Sequence, residues 1–567
     1  MCGIFAFLNS GEKINRDEKT YYKQCFMKGQ NRGPEYSTFD IYHNYILGFH
    51  RLAINGYNDE KSNQPLSYKN VVLICNGEIY NYKELYKLIN IQPNTLSDCE
   101  IIIHLYKEFG IQQTLQYLDG VFAFVLIDRT KKKAYVARDT YGVRPLFMMR
   151  AATHLIEDNK IRYVFASELK QMPFLGNQRD YDITIKQFPP GTYSEFIYHD
   201  HLPFISLNKS IHFSRPNAFV NNTMKNIHES IFNALEAAVV KRVNNTDREI
   251  ACLLSGGLDS SLIAALVKKN YDKPLHTWSI GFKGSEDLKY AQMVANHIGS
   301  IHHSIEVNES EFLENIDNVI YAIESYDTTS VRASVGNWLI SKYIKENSSA
   351  KVVFNGDGSD ELTGGYMYFH MAPNALEFDK ECRRLLENIH YFDVLRSDRS
   401  ISSHGLEART PFLDRNFVQL YLSIPPHIRY HPQENNCEKY LLRKSVEICS
   451  PKLLPSNVLW RTKEAFSDGV SDQTKSWFSI INDYMHNVMF KNNSNIHTLI
   501  QNLDHVNEKM KPKTLEQIYY RNVFEKYFTS KYTNIIPYYW MPKYVDAEDS
   551  SARTLKIYKD KMKPKTE

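Results

Sequence analysis

The sequence lacks the features that mark several large classes of protein. It has no CxxC pair, so nothing in its cysteine spacing points to a zinc ribbon or a redox dithiol. Its eight cysteines stand singly, several inside apolar runs such as Val71-Val72-Leu73-Ile74-Cys75. That usage fits reduced, buried thiols in the cytosol or nucleus, and a cytoplasmic location is expected. No stretch approaches the roughly 20 consecutive apolar residues of a membrane span. No basic segment followed by an apolar one opens the chain, so a secretory signal is not expected. Neither sign of charge dominates: 68 Lys and Arg face 65 Asp and Glu, for a net +3. Nucleic acid and membrane are therefore not expected as partners. What is present is ordinary globular composition, 43% hydrophobic and 23% charged, in a chain of 567 residues. That length exceeds the roughly 250–300 residues at which single cores stop growing, so more than one domain is expected.

The most informative stretch lies near the middle: Ser255-Gly256-Gly257-Leu258-Asp259-Ser260-Ser261. The apolar run Ile250–Leu254 before it reads as a buried strand, and Leu262–Lys269 after it reads as a helix. Two glycines at a strand-to-helix turn let a ligand approach the backbone, and the helix start offers free N–H groups to phosphate. Asp259 would repel bare phosphate, which implies an intervening divalent cation. The loop lacks the spacing and Gly-Lys-Ser/Thr ending of a Walker A motif. It resembles the pyrophosphate loop of ATP pyrophosphatases, which cleave ATP between its α and β phosphates.

The chain begins Met1-Cys2-Gly3-Ile4. Removal of Met1 would leave Cys2 with a nucleophilic thiol and an α-amine of pKa about 7.7–8.0 on one residue, so the amine could take the thiol proton. Arg51 sits in the apolar run Phe49–Ile54, either as a solvated edge residue or as a carboxylate clamp. Asn76-Gly77 follows an apolar run and reads as a hairpin turn or as oxyanion donors. Ser97-Asp98 stands where a helix cap belongs. Together, Cys2-Gly3-Ile4, Arg51-Leu52, Asn76-Gly77-Glu78-Ile79-Tyr80-Asn81, Ser97-Asp98 and Gly120-Val121-Phe122-Ala123 resemble a class II glutamine amidotransferase, an N-terminal-nucleophile hydrolase. The resemblance implies a four-layer αββα domain of α+β class. It implies that Cys2 attacks the side-chain amide of glutamine while Asn76 and Gly77 stabilise the oxyanion. It also implies a glutamine site formed by Arg51, Leu52, Ala53, Ile54, Asn55, Asn76, Gly77, Glu78 and Asp98.

Strand and helix signals alternate beyond residue 226, which implies a parallel sheet with ligand at the strand C-termini. Leu254 and Ile280 then fall at strand ends. Thr329 and Arg332 lie in a run of hydroxyls, acids and one arginine suited to an anionic substrate. Asn355-Gly356-Asp357-Gly358-Ser359-Asp360 is a second glycine-rich loop, acidic enough for magnesium. Lys463 lies in Trp460-Arg461-Thr462-Lys463-Glu464-Ala465-Phe466-Ser467-Asp468-Gly469. His302-His303 does not suggest a shared metal site, because neighbouring strand residues face opposite ways.

In this order, behind an amidotransferase segment, these blocks resemble the glutamine-dependent asparagine synthetases, most of all the eukaryotic ones. The resemblance reaches Tyr539–Lys543 and Ser551–Leu555. It implies an amidotransferase domain over 2–205, a linker over 206–225, an α/β domain of ATP-pyrophosphatase type over 226–545 and a polar tail over 546–567. Glutamine, aspartate and ATP are the implied small-molecule partners, ATP and Mg2+ the implied cofactors, and a homodimer is compatible with it. ATP would be held by Leu254, Ser255, Gly256, Gly257, Asp259, Ser260, Ile280, Asn355, Gly356 and Lys463. Asp259 and Asp360 would hold the metal, and Thr329 and Arg332 would lie near aspartate and the phosphates. One position departs from the family. Asp357 stands where glutamate is usual in a Ser-Gly-Glu-Gly loop, so a carboxylate assigned to adenylate formation is one methylene shorter. A different carboxylate substrate, or a weakly active regulatory relative, are the alternative readings.

Overall fold

Short apolar runs alternate with polar turns through the first 211 residues, and they form strands. In the computed structural model, which describes the chain apart from residues 10–13, 154–160, 176–180, 199–203, 212–218, 221, 435–436, 464–476, 492–509, 548 and 552–567, two compact units emerge. The first comprises Met1–Arg215, Asn245–Glu249 and Ser402–Glu407. The second comprises Pro216–Asn244, Ile250–Ile401 and Ala408–Glu567. The segment 206–225, expected as linker, holds all but the first residue of the strand Ile205–Ile211 and the start of the helix Met224–Val243. The Glu464–Gly469 half of the lysine block, and the tail from Ala552 onward, lie outside the described residues.

Among the described residues, the first unit is built on β1 (Gly3–Leu8), β2 (Tyr36–Ile41), β3 (Tyr45–Arg51), β4 (Leu66–Tyr68), β5 (Val71–Ile79), β6 (Gly120–Asp128), β7 (Lys133–Arg138), β8 (Phe147–Thr153), β9 (Ile161–Ala166), β10 (Tyr181–Gln187), β11 (Thr192–Ile197) and β12 (Ile205–Ile211). They form two six-stranded sheets, ordered β10-β8-β9-β1-β3-β2 and β12-β11-β7-β6-β5-β4. Neighbours in both run antiparallel. One buried cluster joins the sheets, with Ile4, Ala6, Leu47 and Phe165 from the first and Val72, Ile74, Val125 and Val136 from the second. Side chains alternate along a strand, so the other face of β5 presents Leu73, Cys75 and Ile79. These pack with Ile101, Ile102 and Leu105 of the helix Ile101–Tyr117. Each such side chain, fully buried, contributes about 1.5–3 kcal/mol.

The second unit holds the five-stranded sheet β15-β14-β13-β16-β17, made of β13 (Ile250–Leu253), β14 (His276–Phe282), β15 (Ile301–Val307), β16 (Val352–Phe354) and β17 (Glu407–Arg409). The pairs β13–β14, β14–β15 and β13–β16 are parallel. The helices Leu258–Lys269 and Glu286–Ile298 make the crossovers. His302 and His303 do face opposite ways: His302 meets Thr277 and Ser279, while His303 meets His276 at 2.9 Å. A C-terminal arm packs on the helix Thr328–Asn347. Its Glu516 and Asp549 grip Arg332 of that helix from two sides, and Trp540 donates its backbone N–H to Asp327 at 2.7 Å.

Candidate active sites

In the first unit, Cys2 precedes β1, and its thiol donates to the Leu52 carbonyl at 3.5 Å. With Met1 in place, burial pushes that thiol up from its ordinary pKa. Met1 itself is buried, its α-amine donating to the Leu406 carbonyl at 3.3 Å. Cys2 packs on the cluster between the sheets. Asn76 lies inside β5, opposite Ala123 of β6, and is not part of a hairpin turn. By strand alternation it shares the face of Ile74, which looks into the same inter-sheet cluster. Asn76 is fully buried, yet neither polar atom of its amide has a partner among the described residues. Such a group is costly unless a ligand or water satisfies it. A developing oxyanion is a partner of the right kind.

Arg51 ends β3. Its guanidinium donates to Asn63 Oδ1 at 2.8 Å and to the carbonyls of Gly56, Asn55 and Asp59 at 2.6, 3.2 and 3.2 Å. Among the described residues it pairs with no carboxylate, so its charge is available to one from outside. Arg51 and Ala53 line an open depression of about 1010 Å³ together with Glu35, Tyr57 and Asn63. Glu78 is buried and accepts from Asn55 Nδ2 at 2.8 Å and Asn245 Nδ2 at 3.0 Å. Asp98 accepts from the Ile79 N–H at 2.6 Å, which ties it to the end of β5. The loop before Asp98 is fixed by Glu100, whose carboxylate takes hydrogen bonds from Asn94, Thr95 and His104. Although burial opposes ionisation, these donors hold Glu100 down to about 2.

In the second unit, a cavity of about 180 Å³ opens at the C-terminal ends of β13, β14 and β16. Its lining includes Leu254, Ser255, Gly257, Asp259, Ser260, Ile280, Thr329, Asn355, Gly356, Asp357, Asp360 and Lys463. The loop after β13 folds back on itself: Ser260 Oγ accepts from the Ser255 N–H at 3.1 Å. Gly256 adopts φ +72°, and a Cβ there would overlap Tyr290 and the Ala291 backbone. Gly256 supplies this turn and is not itself in the lining. Gly356 allows the two loops to meet, since a Cβ on it would lie 2.7 Å from that of Asp259. Arg332 also stands apart from the cavity lining, held by Glu516 and Asp549.

The two aspartates converge. Lys439 Nζ lies 2.5 Å from Asp259 Oδ2 and 2.6 Å from Asp360 Oδ1. Lys463 Nζ lies 2.7 Å from Asp360 Oδ2 and 3.7 Å from Asp259 Oδ2. Burial would raise the pKa of Asp360, but the two ammonium groups win and hold it well below the carboxylate range. An ammonium stands where both carboxylates point, and a divalent cation fits the same place. Magnesium takes one or two carboxylates plus phosphate oxygens and water, so this sparse donor set suits it. Asp357 sits beside them, with Oδ1 accepting from Arg396 Nη2 at 2.8 Å. The same nitrogen reaches Asp393 at 3.1 Å. Burial, and then the Asp393 carboxylate, push Glu361 well above the usual range, and Tyr366 donates to it.

Lys439, Arg396, Tyr366 and Glu361 are cavity residues that motif reading does not single out as site residues. Lys439 had one signal. In Glu438-Lys439-Tyr440-Leu441-Leu442-Arg443, charges interleave with apolar residues at the start of a helix whose Leu441, Leu442 and Arg443 are buried.

A family model described as asparagine synthase matches residues 231–380 and 370–525, and one described as glutamine amidotransferase domain matches residues 1–197. The chain is 41% identical to the asparagine synthetase [glutamine-hydrolyzing] of Gallus gallus, over 99% of both chains. It is also 41% identical to that of Homo sapiens, over 99% of this chain and all of the relative. An NMN synthetase structure from Francisella tularensis overlaps 48% of this chain and 96% of its own at 14% identity, with a TM-score of 0.22 that carries no argument.

Proposed function

The chain belongs to the glutamine-hydrolysing asparagine synthetase family, and we propose how its residues divide the work. The protein makes L-asparagine from L-aspartate, with ATP as the energy source and L-glutamine as the nitrogen donor. The observation that carries the synthetase half is one cavity lined by the Ser255–Ser260 loop, Asp259, Asp357, Asp360 and two lysines. The glutaminase half is supported by Asn76, a buried amide with no partner among the described residues, on the face where Cys2 packs.

In the first unit, read as a four-layer N-terminal-nucleophile domain, the Cys2 thiolate attacks the glutamine amide carbon. The Asn76 side chain and Gly77 N–H receive the oxyanion. Ammonia leaves as the thioester forms, and water then releases glutamate. Arg51 holds the α-carboxylate, and Glu78 and Asp98 hold the α-ammonium. In the second unit, the loop 255–260 cradles the ATP phosphates, and Lys439 and Lys463 meet the charge that develops on departing pyrophosphate. The β-carboxylate of aspartate displaces pyrophosphate from the α-phosphorus, giving β-aspartyl-AMP. Ammonia then displaces AMP, and Asp357 accepts the proton it sheds. Asp259 and Asp360 would hold Mg2+, which would neutralise phosphate charge when bound. The domain limits 2–205 and 226–545 and a cytoplasmic location belong to the same reading.

The test measures asparagine and AMP from aspartate and ATP-Mg, with glutamine or ammonium as nitrogen source, in wild type and Cys2→Ala. The variant is expected to lose the glutamine route and keep the ammonium route. Loss of both routes, or of neither, would contradict the division of labour.

A further inference from the structure

We propose that Glu438 is a positioning residue for the two lysines that meet ATP's phosphates; this rests on the reading of Lys439 and Lys463 given above. The lysines come from separate stretches of chain. Lys439 opens the helix Tyr440–Cys449, and Lys463 follows the short helix Ser456–Leu459. Their ammonium groups nevertheless meet on one pair of carboxylates. Long, flexible side chains converge in this way only if their backbones are fixed.

Glu438 ties both backbones. It is fully buried, and it does not line the cavity. Its Oε1 accepts from the Lys463 N–H at 2.8 Å and from Arg443 Nη2 at 2.6 Å. Arg443 closes the brace, donating from Nε to the Glu438 carbonyl at 2.8 Å and from Nη1 to the Leu459 carbonyl at 2.5 Å. One carboxylate and one guanidinium thus join the segment before Lys439 to the segment before Lys463. The brace also explains a backbone anomaly. Lys439 has φ +60°, a left-handed conformation that a lysine keeps only when its surroundings hold it there. Gly365 leaves the room: a Cβ on it would overlap the stem of Lys439 and the Asp360 carboxylate. Arg443 itself lines the cavity, and its pairing with Glu438 holds it on the brace.

The experiment uses the full chain and reads aspartate-dependent ATP–pyrophosphate exchange, with glutaminase rate in the same preparation as the control for folding. Glu438→Ala is expected to lower kcat for exchange about 100-fold, the usual penalty for misplacing a reacting group by about 1 Å, with KM for ATP changed less than about threefold. Glu438→Gln keeps an oxygen for the Lys463 N–H and is expected to recover at least about tenfold over Glu438→Ala. Glu438→Asp withdraws the acceptor by a methylene and is expected not to recover. The proposal is overturned if Glu438→Ala exchanges like wild type, if Gln is no better than Ala, or if glutaminase falls in parallel. Lys463→Ala separates the two levels. If it loses exchange while Glu438→Ala does not, the positioning role alone is wrong. If Lys463→Ala exchanges normally, the phosphate reading is wrong as well.

Discussion

Asp357 shows how far a single residue can be read. In the sequence it is a carboxylate one methylene short of the family's usual glutamate. In the structure it is gripped by Arg396, which also holds Asp393. Because Arg396 can follow a longer side chain, Asp357→Glu is expected to stay within about tenfold of the wild-type exchange rate. Asp357→Asn removes the charge that pairs with Arg396 and that, in the proposed mechanism, takes the proton from ammonia, and should lose at least about 100-fold. Steady-state exchange and ammonia-dependent asparagine formation would measure both; an Asn variant as active as wild type would remove Asp357 from the chemistry. The glycine-rich loops are legible because Gly256 and Gly356 answer backbone demands that other residues cannot meet. Arg396 and Lys439 are not, because their roles depend on partners distant in the chain. An arginine in a helix and a lysine after a polar loop read as solvent-facing until the fold brings carboxylates to them.

At the scale of elements, two short segments carry the sites. The turn after β13 was visible in the sequence as a strand, a glycine pair and a helix start. Gly256→Ala would place a side chain in a left-handed backbone against Tyr290. The expected cost is about 1–3 kcal/mol of stability with weakened ATP binding, measurable by denaturant unfolding and equilibrium nucleotide titration. The second segment is the loop 94–98 with its anchor Glu100. Here the residues themselves suggest a helix cap at Ser97 or Asp98, and the resemblance adds Asp98 to the glutamine site. Ser97 does accept from the Cys99 N–H at 3.3 Å, but Glu100 supplies the anchor, through donors that precede it in the chain. Glu100→Gln should destabilise the first unit by about 1–3 kcal/mol at pH 7 and raise KM for glutamine through Asp98. The sign with pH follows from a folded pKa held down to about 2 against an ordinary 4.5. The wild-type advantage is full above pH 4.5 and is lost as pH falls towards 2. Unfolding curves for both proteins at pH 7 and pH 3 would test it, and a constant difference would refute it.

At the scale of the whole molecule, alternating strand and helix signals point to the parallel sheet of the second unit, whereas the layering of the first is expected from the family resemblance alone. What no local pattern announced is that the first unit is assembled from three stretches of chain. Asn245 completes the Glu78 site at 3.0 Å, Asp247 holds the Gly56 N–H at 2.8 Å and Glu407 pairs with Arg144 at 3.1 Å. A fragment ending at residue 215 lacks all three. It should show glutaminase activity at least about tenfold below that of full-length Asp357→Asn, in which the first unit is untouched. Equal activity would show that the later stretches are dispensable.

The same arrangement governs the order in which a newly made chain becomes active. Domains usually fold as they leave the ribosome, at about 5–20 residues per second. Here the first unit's last stretch emerges about 190 residues after Arg215, a delay of roughly 10–40 s. A nascent chain therefore completes its first unit only after the Ser255–Ser260 and Asn355–Asp360 loops have been synthesised.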